Sequence, residues 1–321
     1  MGAARDFIPA LKLGHKILPQ DIAGMLGLPY VGKVFYVDPS AGNDANSGTG
    51  QNKALATVAA AYAKCTSGKH DVVIIAPTGG TGRTTETAAI TWAKRFTHLV
   101  GSAAPSQLDI RAGMSFSSAV VSPCFTISEN GCIFKNLTIA VFEDINVLVK
   151  VTGEYNYFSN VHFIGIGNTT TGDDTAGRSV VLDGASENLF EGCTIGVDTV
   201  TRSVANSSLE LTGVSARNIF RSCLFPAFTD NAGVLFVDIT ANDGVQRFVI
   251  FENCLFLNAD VSSSTTMTVG IKVFSANLNG TVVLKDSYMK GATDWASGFA
   301  QLFLTMPLTD TDEGGLMKIG T

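Results

Sequence analysis

The sequence predicts an elongated right-handed parallel β-helix, a solenoid in which every coil of chain adds short strands to long parallel sheets. Short β-rich runs separated by Gly, Asn, Asp, Ser and Thr dominate, and helix-type periodicity is rare. One heptapeptide pattern recurs six times at near-regular spacing. At 321 residues the chain exceeds the usual size of one compact core, so its length predicts either two domains or one extended architecture, and the repeat favours the second.

The composition excludes several functional classes. With 45% hydrophobic and 16% charged residues, the chain can build a core and carries too little charge for disorder. A formal net charge of −6 without a Lys/Arg cluster argues against binding to nucleic acid or to an anionic membrane. No segment resembles a secretory signal, and no run reaches the ~18 apolar residues of a membrane span. We therefore expect synthesis in a cytoplasm without an export signal.

The repeat is marked by the second position of each heptapeptide, which is Phe in five copies and Leu in the last. From one marker to the next the steps are 24, 32, 30, 31 and 33 residues, as expected for one solenoid coil with loops of variable length. Leucine-rich repeats are shorter and carry a different signature. The six copies occupy residues 133–139, 157–163, 189–195, 219–225, 250–256 and 283–289, with Phe134, Phe158, Phe190, Phe220, Phe251 and Leu284 as markers.

Each heptapeptide predicts two short strands joined by a sharp bend. The marker and the last residue should point inward, and the residue between the strands should adopt a left-handed backbone, which Asn, Asp and Gly tolerate. Ser222 fits this requirement worst. The predicted bend residues are Asn136, Asn160, Gly192, Ser222, Asn253 and Asp286.

A further β-rich run precedes most copies and predicts a third strand per coil. Examples are residues 147–151, 179–182, 208–211, 234–237 and 269–273. Coils stacked ~4.8 Å apart would make each sheet parallel and place like residues on like.

Stacking predicts vertical columns of equivalent residues. One inward column is Cys193, Cys223 and Cys254, and cysteine behaves as a small hydrophobic residue that packs well in a core. Because no His lies at a matching position, we assign no metal site and no cofactor. One outward column should form a solvated ladder of ion pairs, and its paired carboxylates are poor general acids. That column is Lys135, Ser159, Glu191, Arg221, Glu252 and Lys285.

The strongest acidic cluster lies around the polar loop 167–178. Asp173 and Asp174 in this loop, with Asp183 and Glu187 after it, could approach a glycan or a calcium ion. Adjacent Asp residues in a Gly/Thr loop are more ordinarily a solvated turn. We therefore assign no catalytic residue and keep these four as weak candidates.

A second outward column is apolar and requires cover, either from loops or from another subunit. It favours a homotrimer or another side-by-side assembly. Its members are Ile133, Tyr157, Leu189, Ile219, Ile250 and Val283.

Residues 34–78 suggest the first coil. An initial strand at residues 35–39, a polar loop at 42–48, residues 56–58 and a strand at 71–75 together resemble the opening of pectin-lyase-like parallel β-helices, especially those of phage tailspikes and related virion proteins. By that resemblance, residues 54–65 form a helix that caps the open core. The resemblance implies the fold, which hosts lyases, hydrolases and inert structural proteins alike.

The remaining segments are a terminal arm and a tail. Residues 1–33 are broken by prolines and leave room for one short helix at 20–27. This arm either attaches the protein to a larger particle or folds back as a lid. Residues 79–295 should form the coils, and 296–321 a cap or tail. The attachment candidates are Phe7, Ile8, Leu11, Leu13, Ile17 and Leu18.

These features favour a non-catalytic bacteriophage virion protein, such as a capsid decoration, cement or spike-like component. It would be assembled in the host cytoplasm and located in the virion, with the major capsid protein or another virion protein as its partner. The alternative is a polysaccharide lyase or hydrolase on the same fold, for which a glycan is the partner. Such an enzyme should display a groove with at least two carboxylates and exposed aromatic side chains.

Overall fold

The computed structural model describes residues 19–28, 30–80, 82–109, 112–259, 264–274, 279–296 and 303–306. These residues form a right-handed parallel β-helix, which confirms the predicted fold class. Beside 25 strands they contain helices α1 (Pro19–Leu26), α2 (Val58–Lys64) and α3 (Thr169–Gly172) and one 3₁₀ turn (Gln51–Lys53). The attachment candidates Phe7 to Leu18 lie outside the described residues.

Seventeen strands form one continuous sheet that bends into two faces. The first face contains β1 (Val34–Val37), β2 (Val72–Ile75), β5 (His98–Gly101), β8 (Ile133–Val141), β10 (Tyr157–Ile164), β12 (Leu189–Glu191), β16 (Ala216–Arg221), β19 (Gln246–Glu252), β22 (Gly280–Lys285) and β25 (Phe303–Met306). The other face contains β3 (Arg83–Glu86), β6 (Gly113–Phe116), the ends of β8 and β10, β13 (Thr194–Ile195), β14 (Thr201–Arg202), β17 (Leu224–Thr229), β20 (Leu255–Asn258) and β23 (Tyr288–Lys290).

The second sheet supplies the third wall of each coil. Its eight strands are β4 (Ile90–Trp92), β7 (Phe125–Ile127), β9 (Val147–Val151), β11 (Arg178–Asp183), β15 (Ser207–Thr212), β18 (Leu235–Ile239), β21 (Met267–Val273) and β24 (Ala292–Ala296), in chain order. Neighbouring strands of both sheets pair in parallel.

The marker aromatics stack directly over one another. Phe134, Phe158, Phe190, Phe220 and Phe251 are in register and completely buried. Successive ring centroids lie 5.0, 4.3, 4.7 and 5.0 Å apart, and the planes are within 15° of parallel. The predicted column is therefore confirmed, and it forms the spine of the core.

The predicted bends are also confirmed. All six bend residues have positive φ, between 49° and 61°, including Ser222 at 52°. The Asn160 amide donates to Asn136 Oδ1 at 2.7 Å, and the Asn136 amide donates to the carbonyls of Gly101 and Ala103. Ser222 adopts the left-handed backbone because the coils above and below fix the bend.

A second left-handed bend, which the sequence pattern did not reveal, precedes the marker strand in several coils. Tyr155, Glu187 and Arg217 have φ between 54° and 56°. The residue after each is a buried asparagine whose side chain bridges adjacent coils, and Asn188 accepts from Asn156 N at 2.9 Å. This internal ladder satisfies backbone donors that the bend leaves without a strand partner. Its asparagines are Asn156, Asn188 and Asn218.

The N-terminal cap contains a helix shorter than predicted. The helix begins only at Val58, because Thr57 is the N-cap and its side chain accepts from Ala60 N at 3.1 Å. Glu86 accepts from Val58 N at 2.8 Å and stabilises the same helix end. Tyr62 of α2 stacks on Trp92 at 4.0 Å and closes the core.

The helix predicted at 20–27 is confirmed as α1, and it packs against the outside of the first face. Ile22 and Leu26 are buried in a cluster on that face. Consequently this part of the arm covers the β-helix instead of extending from it. The sheet residues of the cluster are Val72, Ile74, Val100 and Ile133.

Candidate functional site: a charged cavity on the second sheet

The outer surface of the second sheet bears a cavity of about 560 Å³. Strands β9, β11 and β15 form its floor, and the polar loop before β11 forms one wall. Because strands alternate their side chains, the outward positions of three consecutive coils converge here. The lining residues are Pro123, Val147, Lys150, Thr175, Ala176, Arg178, Val181, Asp183, Glu210 and Thr212.

Ion pairs connect the charged groups of the cavity. Lys150 Nζ lies 2.7 Å from Asp183 Oδ2, and Arg178 Nε donates to Glu210 Oε2 at 2.7 Å. Arg178 is buried, and its Nη1 also donates to the carbonyls of Thr175 and Gly177. The guanidinium therefore fastens the polar loop to the sheet.

Asp238 lies on the next coil, beside Glu210, with Oδ2 3.6 Å from Arg178 Nη2. Burial raises the pKa of this carboxyl, and its Oδ1 is buried without a hydrogen-bond partner. A carboxyl with a raised pKa beside an arginine is the type of group that functional sites contain.

A second arginine, Arg202, is almost completely buried nearby. It donates to Asn206 Oδ1 at 2.6 Å, Ser208 Oγ at 3.1 Å and the Leu235 carbonyl at 3.1 Å, all neutral acceptors. Burial and the neighbouring Arg178 lower its pKa to about 9, so the side chain is still a cation at neutral pH.

The structure separates the four acidic candidates. Asp183 lines the cavity, whereas Asp173 is exposed in the loop, and Asp174 closes a turn through its bond from Ala176 N at 2.8 Å. Glu187 lies at the second bend and pairs with Arg217. These four residues do not form one cluster.

Sequence reasoning missed most of the charged residues in and beside the cavity. Lys150, Glu210, Asp238 and Lys272 occupy one register position of the second sheet, with Val181 between the first two. The signal was present as a charged residue in the middle of an otherwise apolar third strand, repeated from coil to coil.

The predicted ladder of ion pairs on the first face is confirmed. Arg221 Nε donates to Glu252 Oε2 at 2.8 Å, and Arg221 Nη1 lies 3.6 Å from Glu191. Lys285 pairs with Glu252 from the other side. Hydrogen bonds from Lys285 and Arg221 lower the pKa of Glu252, which makes this carboxylate unsuitable as a general acid.

The cysteine column is buried as predicted. Cys193, Cys223 and Cys254 each donate to the carbonyl of a marker phenylalanine in the preceding coil, at 3.5, 3.4 and 3.3 Å. Burial raises the pKa of Cys223. Within the described ranges, no group of three or more His, Cys, Asp or Glu side chains could hold a metal ion. No helix of the same ranges is long and apolar enough to cross a membrane.

The predicted apolar column divides into a covered part and a bare part. Ile133 is buried in the α1 cluster and so does not offer its side chain to a second subunit. Tyr157 packs at the edge of that cluster. We call the half-buried remainder the bare column: Leu189, Ile219, Ile250 and Val283.

Comparisons with known proteins bear on the fold. The chain is similar to the pectate lyase Pel9A, with a TM-score of 0.55 and 16% identity over 80% of this chain, and it spans only 63% of that enzyme. It is also similar to the pectin methylesterase PemA from Erwinia chrysanthemi, with a TM-score of 0.50, 16% identity, and coverage of 80% and 79% of the two chains. No family model and no curated protein sequence matches. At these identities the likeness shows a pectin-lyase-like β-helix and nothing of the activity.

Proposed function

We propose that this protein is a non-catalytic structural component of a bacteriophage virion, such as a decoration, cement or spike-like subunit. Copies associate side by side, as a homotrimer or a similar oligomer, through the first face. The N-terminal arm attaches the subunit within the particle, where the major capsid protein or another virion protein is a partner.

The bare column carries this proposal. Four apolar side chains follow one another on consecutive coils, just past the place where α1 stops covering the same column. A continuous apolar stripe on a solvated sheet indicates a contact surface. Two further observations agree with a structural role. The N-terminal residues resemble those of virion β-helices, and the carboxylates of the adjacent ladder are held in ion pairs with Arg221 and Lys285.

Two measurements test the proposal. Sedimentation velocity of the full chain should show a discrete oligomer, and mass spectrometry of purified particles of the source virus should detect the chain in a fixed ratio to the capsid protein. A monomer that is absent from particles would contradict it.

A second candidate function is binding or cleavage of an acidic polysaccharide at the charged cavity. It is favoured by Asp238, whose carboxyl has a raised pKa and one oxygen without a hydrogen-bond partner. It is also favoured by a small excess of positive charge in and around the cavity, where four cationic side chains accompany three carboxylates. The cations are Lys150, Arg178, Arg202 and Lys272, and the carboxylates are Asp183, Glu210 and Asp238.

Incubation with polygalacturonate distinguishes the two functions. Release of reducing ends or unsaturated products that is lost in Asp238→Asn, and retained in the exposed-loop control Asp173→Asn, would establish the enzyme. The structural proposal expects no product from either variant or from the parent chain.

A further inference from the structure

Residues 102–109, here called the strap, follow β5 and cross the outside of β10 and β13. Five consecutive residues in the middle of the strap are exposed. Near its start the Asn136 amide donates to the Ala103 carbonyl at 2.8 Å, and farther along Thr194 Oγ1 donates to the Gln107 carbonyl at 2.6 Å. Polar contacts therefore hold the strap on the sheet.

His162 of β10 holds the last residue of the strap, and its side chain is buried. The ring accepts from Asp109 N through Nδ1 at 2.9 Å, and its Nε2 lies 3.0 Å from the Gly196 carbonyl oxygen. A carbonyl oxygen can only accept, so Nε2 carries the proton, and a peptide N–H can only donate, so Nδ1 carries none. These two contacts require a neutral imidazole in one tautomer.

Among the described residues, three charged groups surround the ring: Arg83 from β3, Asp109 from the strap and Asp198 after β13. The Asp109 carboxylate is already paired with Arg83. Burial lowers the pKa of His162 to about 4, and the positive charge of Arg83 acts in the same direction. The hydrogen bond to Gly196 and the charge of Asp198 oppose this lowering. The surroundings of the ring therefore disfavour the imidazolium.

We propose that the strap is an acid-sensitive device, which protonation of His162 releases from the sheet. The proton takes the Nδ1 lone pair that accepts from Asp109 N, so two N–H groups would face each other. Release uncovers His162 and Thr194, and the same outward column continues to Leu255 and Tyr288, which are already exposed. Acid thus extends the open part of this face by two coils. The inference depends on neither function proposed above.

Proton linkage gives the direction and size of the effect. With the strap released, His162 meets water and has the ordinary pKa of about 6.5. With the strap in place the pKa is about 4. Below pH 6.5 the released state binds more protons, so the ratio of released to closed strap should rise about tenfold per pH unit as the pH falls towards 4.

Amide hydrogen exchange of the full chain, corrected for its intrinsic pH dependence, tests the release. The Asp109 amide should be protected at pH 7.5 and should lose about tenfold in protection per unit between pH 6.5 and 4.5. The amides of β10 beneath it should exchange more slowly at each pH. Constant protection of Asp109 over this range would overturn the proposal, and so would opening of Asp109 and β10 together.

Variants identify His162 as the group that titrates, after circular dichroism has established that each is folded. In His162→Asn the amide oxygen takes the place of Nδ1 and accepts from Asp109 N at any pH, so the acid response should disappear. The matched control His70→Asn, at a half-buried histidine elsewhere, should keep the full response. An acid response that survives in His162→Asn would overturn the proposal.

A second variant keeps the test decisive if His162→Asn does not hold the strap at neutral pH. Thr194→Val removes the bond to the Gln107 carbonyl and no titratable group. Asp109 should then be less protected at every pH, with the same tenfold loss per unit as in the parent chain. A pH response that is lost together with the threonine hydroxyl would overturn the role of His162.

Discussion

The coils up to β13, here called the early coils, and the coils from β16 onwards, the late coils, share one interior and differ on the outside. In the early coils α1 covers the first face, and residues 102–109 cross the other face, where Asp109 N donates to His162 at 2.9 Å and Thr194 donates to the Gln107 carbonyl at 2.6 Å. In the late coils the equivalent outward residues Leu255 and Tyr288 are 38% and 70% exposed. Among the described residues, the chain thus supplies its own cover over the early coils and leaves large apolar side chains exposed on the late coils.

The largest expected effect tests whether the interior is uniform. Phe134→Ala in the early coils and Phe251→Ala in the late coils should each lower the free energy of unfolding by about 3–5 kcal/mol, because both remove a buried ring from the same stack. Guanidinium denaturation measures the change, with Val121→Ala as an exposed control. A much smaller cost for Phe251→Ala would mean that the late coils are also loosely packed inside.

Acid should weaken the covered coils first. Burial lowers the pKa of His98 to about 3 and of His162 to about 4, both in the early coils. The unfolded chain therefore binds more protons than the folded chain below pH 6.5, and stability is lost as the pH falls from 6.5 towards 4, by about 1.4 kcal/mol per pH unit for each histidine. Hydrogen exchange should show earlier opening of β5 and β10 than of β19 at pH 5, and His98→Gln/His162→Gln should remove that difference.

The asparagine ladder links the early coils to the late coils, so its loss should destabilise both regions. Asn188→Ala removes the acceptor of the buried Asn156 N–H and should lower the free energy of unfolding by about 1–3 kcal/mol. Thermal unfolding measures this, and the exposed Asn52→Ala is the control. No change would show that other groups satisfy this bend.

The smallest effect is a gain in the late coils. Ser222 has a φ of 52°, a backbone region that Asn adopts more readily than Ser. Ser222→Asn should raise the free energy of unfolding by about 0.5–1 kcal/mol, and Ser128→Asn, at a position with ordinary φ, should not. A destabilised Ser222→Asn would indicate that the Ser222 hydroxyl, which accepts from Asn253 at 3.3 Å, matters more than the backbone.

The repeat predicted the interior well because the interior depends on local pattern. A marker, a bend residue and an inward residue at fixed spacing define each of the six coils that carry the repeat, so Phe190, Gly192 and Cys193 took their predicted places. The second bend was missed because its residues, such as Tyr155 and Arg217, are not typical of a left-handed backbone. Only the asparagine that follows each carries a signal.

The cavity could be predicted less well, because it depends on how loops of different length align. Asp183 was identified, but Arg178 and Asp238 meet only because three coils stack in register. For a similar reason the sequence did not decide whether the arm folds back. Its apolar residues are equally compatible with attachment to a larger particle and with packing on the β-helix. Length and composition alone do not decide which surface such a segment contacts.

The reactivity of the six cysteines can report which coils of the solenoid unfold first. All are buried free thiols, and they are distributed from the cap at Cys65 to a late coil at Cys254. A thiol shielded this way reacts with an alkylating reagent only after its own coil has opened. The order in which the six become labelled under mild denaturant would therefore reveal from which end the molecule frays, without any engineered probe.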